Sequence, residues 1–129
     1  MGKDIAIAMG KAHDALEDAQ VLLLRSRCSG AVSRSYYAMY HAASAMLSRE
    51  GLSVEKHAAV KAKFGELLVK PGLVDSKFGR YLNLALKLRE DADYVSEGGV
   101  IITAQIGKEQ VERAGQFLAM AETFMASRG

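Results

Sequence analysis

Apolar residues recur at three- and four-residue steps along almost the whole of this sequence, and one proline in 129 residues interrupts them. That recurrence fits the α-helical turn of about 3.6 residues and not the alternation of a half-buried strand. From about Lys3 to Arg27 the stripe is Ile5, Ala8, Met9, Ala12, Leu16, Ala19 and Leu23. Ser29-Gly30 breaks the pattern, and Ser29 is predicted to cap a second helix that runs to about Glu50, with Gly51 at the C′ position. Ser53 is predicted to cap a third segment, with Glu55 in its first turn, that stops before Pro71-Gly72. Asp75 or Ser76 caps the fourth, which carries Phe78, Leu82, Ala85, Leu88, Ala92 and Val95 on one face and ends at Gly98-Gly99. Val100-Ile101-Ile102 is too isolated to build a sheet and is expected to pack as an apolar lead-in. Thr103 then caps the last helix, with the stripe Ile106, Gln110, Ala114, Phe117, Ala121 and Phe124. Short connections predict antiparallel neighbours. The expected architecture is all-α, an up-and-down antiparallel bundle of four to five helices forming one domain over residues 1–129.

Composition removes several function classes. Half the residues are apolar and a quarter charged, which excludes wholesale disorder. Lys plus Arg at 17 against Asp plus Glu at 15 gives +2, too near neutrality to argue for nucleic acid from net charge alone. Cys28 is the single cysteine, so neither an intramolecular disulfide framework nor a cysteine-based zinc site is available. His13 and Glu17 have the spacing of a metal pair but no third and fourth ligand nearby, so no metal or cofactor is expected. No apolar run approaches the roughly 20 residues of a membrane span, and Met1 to Lys11 does not read as a secretory signal. The expected location is therefore cytoplasmic, away from membranes. Gly10, Gly65, Gly79, Gly107 and Gly115 lie inside helical stretches without a phosphate-cradling pattern around them, and close helix approach is the expected reason.

The residues richest in chemistry lie between Arg34 and His41, where three of the five tyrosines, a histidine and an arginine fall within eight positions. On a helix Arg34, Tyr37, Ala38 and His41 share a face, with Arg34 and His41 about 10 Å apart along the axis. Two long side chains at that separation can converge on one phosphodiester. A histidine titrating near neutrality can take the 2′-hydroxyl proton or donate to the leaving oxygen, and an arginine can stabilise the charge of the transition state. The pattern suits RNA cleavage without a metal. The same spacing also suits tyrosine packing with hydroxyls aimed at backbone or water. A second cluster, Leu88 to Tyr94, pairs Arg89 with Asp93 four residues on, with Tyr94 one step further round. It reads as a structural ionic network or as a phosphate-holding group. His57, near Lys56, Lys61 and Lys63, is expected to be solvated.

The string Ala31-x-Ser-Arg-Ser-Tyr-Tyr-Ala-Met-Tyr-His-Ala-Ala, followed by Ala45-Met-Leu, Gly51, His57, Phe64 and Leu88-Arg-x-x-Ala-Asp-Tyr94, resembles the HEPN domain family, in particular its small stand-alone bacterial and archaeal members. The resemblance extends over nearly the whole chain with the motifs in order. It implies a bundle of four to five helices, usually paired as a homodimer across a two-fold axis. It also implies a toxin–antitoxin setting, often with a nucleotidyltransferase partner, and in many members a metal-independent endoribonuclease activity. The signature of that activity is an arginine followed four to six residues later by a histidine. Arg34 and His41 satisfy it with six intervening residues. A second placement, on a later helix, starts at Arg89 but has Tyr94 in the histidine position, and a tyrosine with a pKa of about 10 cannot serve as a base at neutral pH without large perturbation. Under this resemblance Arg34 and His41 are the catalytic candidates, and Tyr37, Arg89, Asp93 and Tyr94 bind RNA. The alternative it leaves open is a non-catalytic module that binds a nucleotide or a nucleotidyltransferase and regulates it. Outside the family, the same residues read as a helical scaffold whose polar cluster fixes packing.

Overall fold

The computed structural model describes the backbone of residues 2–53, 56–93 and 101–128, and the side chains of these from Asp4 onward. Five α-helices follow in order: α1 (Gly2–Leu24), α2 (Cys28–Arg49), α3 (His57–Phe64), α4 (Ser76–Asp93) and α5 (Ala104–Arg128). A π-helical turn, Gly65–Val69, continues α3 and is closed by Lys70 N–H on the Gly65 carbonyl at 2.9 Å. Pro71, two residues past the turn, has no N–H to extend the α-helical ladder and would crowd the carbonyl four residues back.

The architecture is all-α, and α2 is its axle, packed on α1, α3, α4 and α5. Eleven of its residues are buried, from Ala31 to Leu47. Its seam with α1 is built largely of alanines: Ala12, Ala15 and Ala19 on α1 and Ala31, Ala38, Ala42 and Ala45 on α2 are fully buried. Small side chains let two helices approach toward the short end of the usual 8–10 Å range, roughly. The bulkier members of the same core are Met39, Met46, Phe64, Leu68, Phe78, Leu82, Phe117 and Leu118, with Phe117 against both Phe64 and Phe78, ring centres 5.4 and 5.8 Å apart. Although consecutive, α4 and α5 pack chiefly on α2 and reach each other through long side chains, Phe78 against Phe117 and Tyr81 against Gln116.

Several predicted boundaries move. The first helix stops at Leu24, not Arg27, because Ser26 takes a left-handed conformation (φ 59°) while Arg27 N–H bonds the Leu22 carbonyl at 2.8 Å. Ser29 therefore lies inside α2, whose N-cap is Arg27 without a side-chain hydrogen bond. Gly30 admits the Leu22 side chain, 3.2 Å from where a Cβ would stand. Gly51 ends α2 as expected, with φ 88°. The third helix begins at His57 after Lys56, so Ser53 does not cap it. Asp75 does cap α4, accepting from Lys77 N–H at 2.9 Å, and Thr103 caps α5 through Ile106 N–H at 3.2 Å. Ile101 does not pack: it is 83% exposed. Close approach explains Gly79 and Gly107, whose Cβ positions would lie 3.3 Å from Val69 and Cys28, but not Gly10, Gly65 or Gly115, which face open space. Glu55, Val95, Gly98, Gly99 and Val100 lie outside the described residues.

Candidate active site

Two helical turns of α2 carry the site. Arg34, Tyr37 and His41 run along one face, and Tyr36 and Tyr40, four apart, run along the adjoining one. Arg34 turns toward α1, its Nη2 3.7 Å from Asp18 Oδ2, and its guanidinium carbon sits 5.3 Å from the centre of the Tyr37 ring. Arg89, from α4, reaches the same ring: Nη2 donates to the Tyr37 hydroxyl at 2.9 Å, and the guanidinium carbon is 5.4 Å from the ring centre. Two cations thus share one aromatic ring, whose negative face partly offsets their repulsion. Asp93 stands 3.1 Å from Arg89 Nε, a Coulombic contact in which the N–H is not aimed at the carboxylate. The Nε atoms of Arg34 and Arg89 are both buried without a hydrogen-bond partner among the described residues.

His41 sits on the α1 side. It is half-buried, meets Tyr40 edge-to-face at 5.2 Å, and lines a groove of about 280 Å³ whose other walls include Asp4, Lys11 and Ser44. Burial, reinforced by the charges of Lys11 and Arg34 and by His57, holds its imidazole below the ordinary 6.5. At neutral pH it is a neutral base. On the other flank, His57 stacks on Tyr40 with ring centres 4.2 Å and planes 10° apart, and its Nδ1 is 2.6 Å from the Tyr36 hydroxyl. Burial and Arg89 lower His57 too. Tyr36, 1% exposed, is pushed well above the usual phenol range by burial first and Tyr40 next, so it keeps its proton.

The residues singled out from sequence are thus largely together. Arg34, Tyr37 and Arg89 meet directly, Asp93 joins through Arg89, and His41 adjoins Tyr37 with ring centres 6.3 Å apart. Tyr94 lies outside the described residues. Arg34 does not join the Arg89–Asp93 pair in one ionic network, since its carboxylate is Asp18. His57 was expected in solvent and is instead a member of the aromatic cluster, because α3 starts at that residue and lays it against the Tyr36–Tyr40 flank. Lys11 was likewise not visible as a groove residue, although its place seven residues after Asp4 puts both on one face of α1. His13 pairs with Glu122 at 2.8 Å and not with Glu17. Among the described residues no three His, Cys, Asp or Glu side chains are grouped to hold a metal, and no helix is long and apolar enough to cross a membrane.

The sequence pattern described as the HEPN domain matches residues 6–125. A UPF0332 protein of Thermotoga maritima is 39% identical over 84 residues, 65% of this chain and 64% of that protein. A Methanocaldococcus jannaschii protein named as a candidate toxin is 35% identical over 86 residues, 67% of this chain and 64% of its own length. The chain thus spans a little under two thirds of these two relatives. A UPF0332 protein of Gloeobacter violaceus is 31% identical over 120 residues, 92% and 93% of the two chains.

Proposed function

The chain belongs to the HEPN domain family, and from that membership we propose a toxin-type protein that cleaves single-stranded RNA without a metal ion. His41 is the proton-transfer group and Arg34 the cation on the reacting phosphate. The observation that carries this reading is a half-buried imidazole that lines an open groove and adjoins Tyr37, ring centres 6.3 Å apart, while the Arg34 guanidinium lies 5.3 Å from the centre of that same ring. That pair answers both needs of the reaction, a base and a countercharge. His41 takes the 2′-hydroxyl proton, the 2′-oxygen attacks the adjacent phosphorus, and the bond to the 5′-oxygen breaks as that oxygen acquires a proton. The products are a cyclic 2′,3′-phosphate and a 5′-hydroxyl. Arg34 donates to the phosphoryl oxygens as negative charge accumulates there. Tyr37, Arg89 and Tyr94 are the RNA-binding residues of this reading, and Asp93 serves binding by pairing with Arg89.

The test is cleavage of single-stranded RNA by two variants. His41→Ala lowers the rate by at least about a hundredfold, the lower range of general acid–base contributions. Arg34→Ala lowers it by about a hundredfold or more, as for loss of a charge-stabilising donor. Both keep the helical circular dichroism signal. Undiminished cleavage by His41→Ala refutes the assignment, and collapse of the fold would return the residue to a packing role.

One observation favours a second reading. Tyr94 stands in the histidine position of the later arginine signature, as suits a non-catalytic module that binds a nucleotide or a nucleotidyltransferase partner. That reading predicts co-purification with a nucleotidyltransferase encoded beside it and no RNA cleavage by the purified chain.

A further inference from the structure

We infer that His57 and Arg89 form a second phosphate-holding pair, in which His57 acts as a neutral hydrogen-bond donor with its tautomer set by Tyr36. The inference rests on the preceding reading only in taking RNA as the ligand. Its basis is geometric. Tyr36 is 1% exposed, and the hydrogen bond its hydroxyl makes among the described residues is the 2.6 Å contact with His57 Nδ1. If Nδ1 were the donor, the buried phenol proton would have no acceptor among the described residues, which is costly in a dry site. The phenol therefore donates and Nδ1 accepts. A neutral imidazole with Nδ1 as acceptor carries its proton on Nε2. Stacking on Tyr40 at 4.2 Å fixes the plane of the ring, so the direction of the Nε2–H bond is fixed as well.

Such a group cannot be a base, because its one remaining nitrogen is already protonated. It can donate to an anionic oxygen. The Arg89 guanidinium carbon lies 5.9 and 5.4 Å from the ring centres of Tyr36 and Tyr37, and the His57 ring lies 5.5 and 5.7 Å from the same two centres, so the two groups flank one pair of rings. A second full charge here would add to the repulsion among Arg34, Arg89 and Lys11. A neutral donor adds direction without adding charge. The two histidines thus divide the labour on either side of Tyr40: His41 exchanges a proton, and His57 with Arg89 grips a phosphodiester oxygen of the bound strand. Tyr36, which touches no ligand, is the positioning residue.

The experiment uses a 2′-O-methyl RNA oligonucleotide, which binds but cannot be cleaved, together with imidazole nitrogen NMR. Glutamine can place an amide N–H near the position of Nε2, whereas asparagine reproduces only the Nδ1 position. His57→Asn is expected to weaken binding about tenfold, the scale of one hydrogen bond to a charged oxygen, and His57→Gln to remain within about threefold of wild type. NMR of the wild type shows His57 in the Nε2–H form, and Tyr36→Phe shifts it to a mixture of tautomers. Equal binding by all three proteins, equal losses in both variants, or an Nδ1–H tautomer in the wild type overturns the proposal. The outcomes separate it from the catalytic reading. Unchanged binding by His57→Asn with cleavage still lost in His41→Ala sinks this pair alone. A clear Asn/Gln split with cleavage unaffected by His41→Ala sinks the catalytic assignment alone. No binding by the wild type sinks both.

Discussion

At the scale of single residues, Tyr37 joins the two cationic arms of the site. Its ring lies under both guanidiniums and its hydroxyl accepts from Arg89 Nη2 at 2.9 Å. Tyr37→Phe keeps the ring and removes the acceptor, so thermal unfolding should show a loss of about 1.5 kcal/mol, as for a hydrogen bond to a charged group. Unchanged stability would mean that the hydroxyl is dispensable. The two histidines make a pH prediction. Folding disfavours the protonated form of both, so the unfolded chain binds their protons more readily. Their contribution to stability is complete above about 6.5 and is lost as pH falls through that unfolded value toward the lower folded ones. Melting temperature should therefore fall between pH 7.5 and 5.5, and by less in a His41→Gln, His57→Gln double variant. An identical fall in that variant would assign the effect to other groups.

At the scale of elements, α1 and α2 end alike with different residues. After α1, Arg27 N–H bonds the Leu22 carbonyl and Ser26 is left-handed; after α2, Leu52 N–H bonds the Leu47 carbonyl and Gly51 is left-handed. Only the second could be read from sequence, since glycine advertises a left-handed position and serine does not. The strain at Ser26 is measurable. Ser26→Gly should stabilise the protein by about 1 kcal/mol, and Gly51→Ala should destabilise it by about 1–2 kcal/mol, both by denaturant titration. Effects of the opposite sign would contradict the cap geometry. Caps with side-chain oxygens, Asp75 and Thr103, were legible for the complementary reason: their chemistry is local. The alanine seam was only half legible. Ala12 and Ala19 belong to the predicted stripe of α1, but Ala15, fully buried between them, does not stand out in an alanine-rich segment. Ala15→Leu should cost about 1–3 kcal/mol by overpacking.

At the scale of the whole molecule, helix period and turn residues made the all-α architecture readable, and the Arg34–His41 run could be placed on one helix, α2, from its spacing alone. What could not be read is what comes from elsewhere in the chain. Asp18 and Lys11 from α1 and His57 from α3 approach α2 only through tertiary packing, and no local spacing announces them. We further propose that two copies pair across a two-fold axis, as the family resemblance implies; sedimentation should give twice the mass of one chain, and a monomer at all concentrations would contradict it. The proposed metal-independent ribonuclease activity depends on His41. Its most direct measurement is to incubate end-labelled single-stranded RNA with the protein in excess EDTA and identify the new termini. Cyclic 2′,3′-phosphate ends are expected from the wild type and essentially none from His41→Ala. Intact RNA with the wild type, or the same cyclic ends at the same rate from His41→Ala, would contradict it.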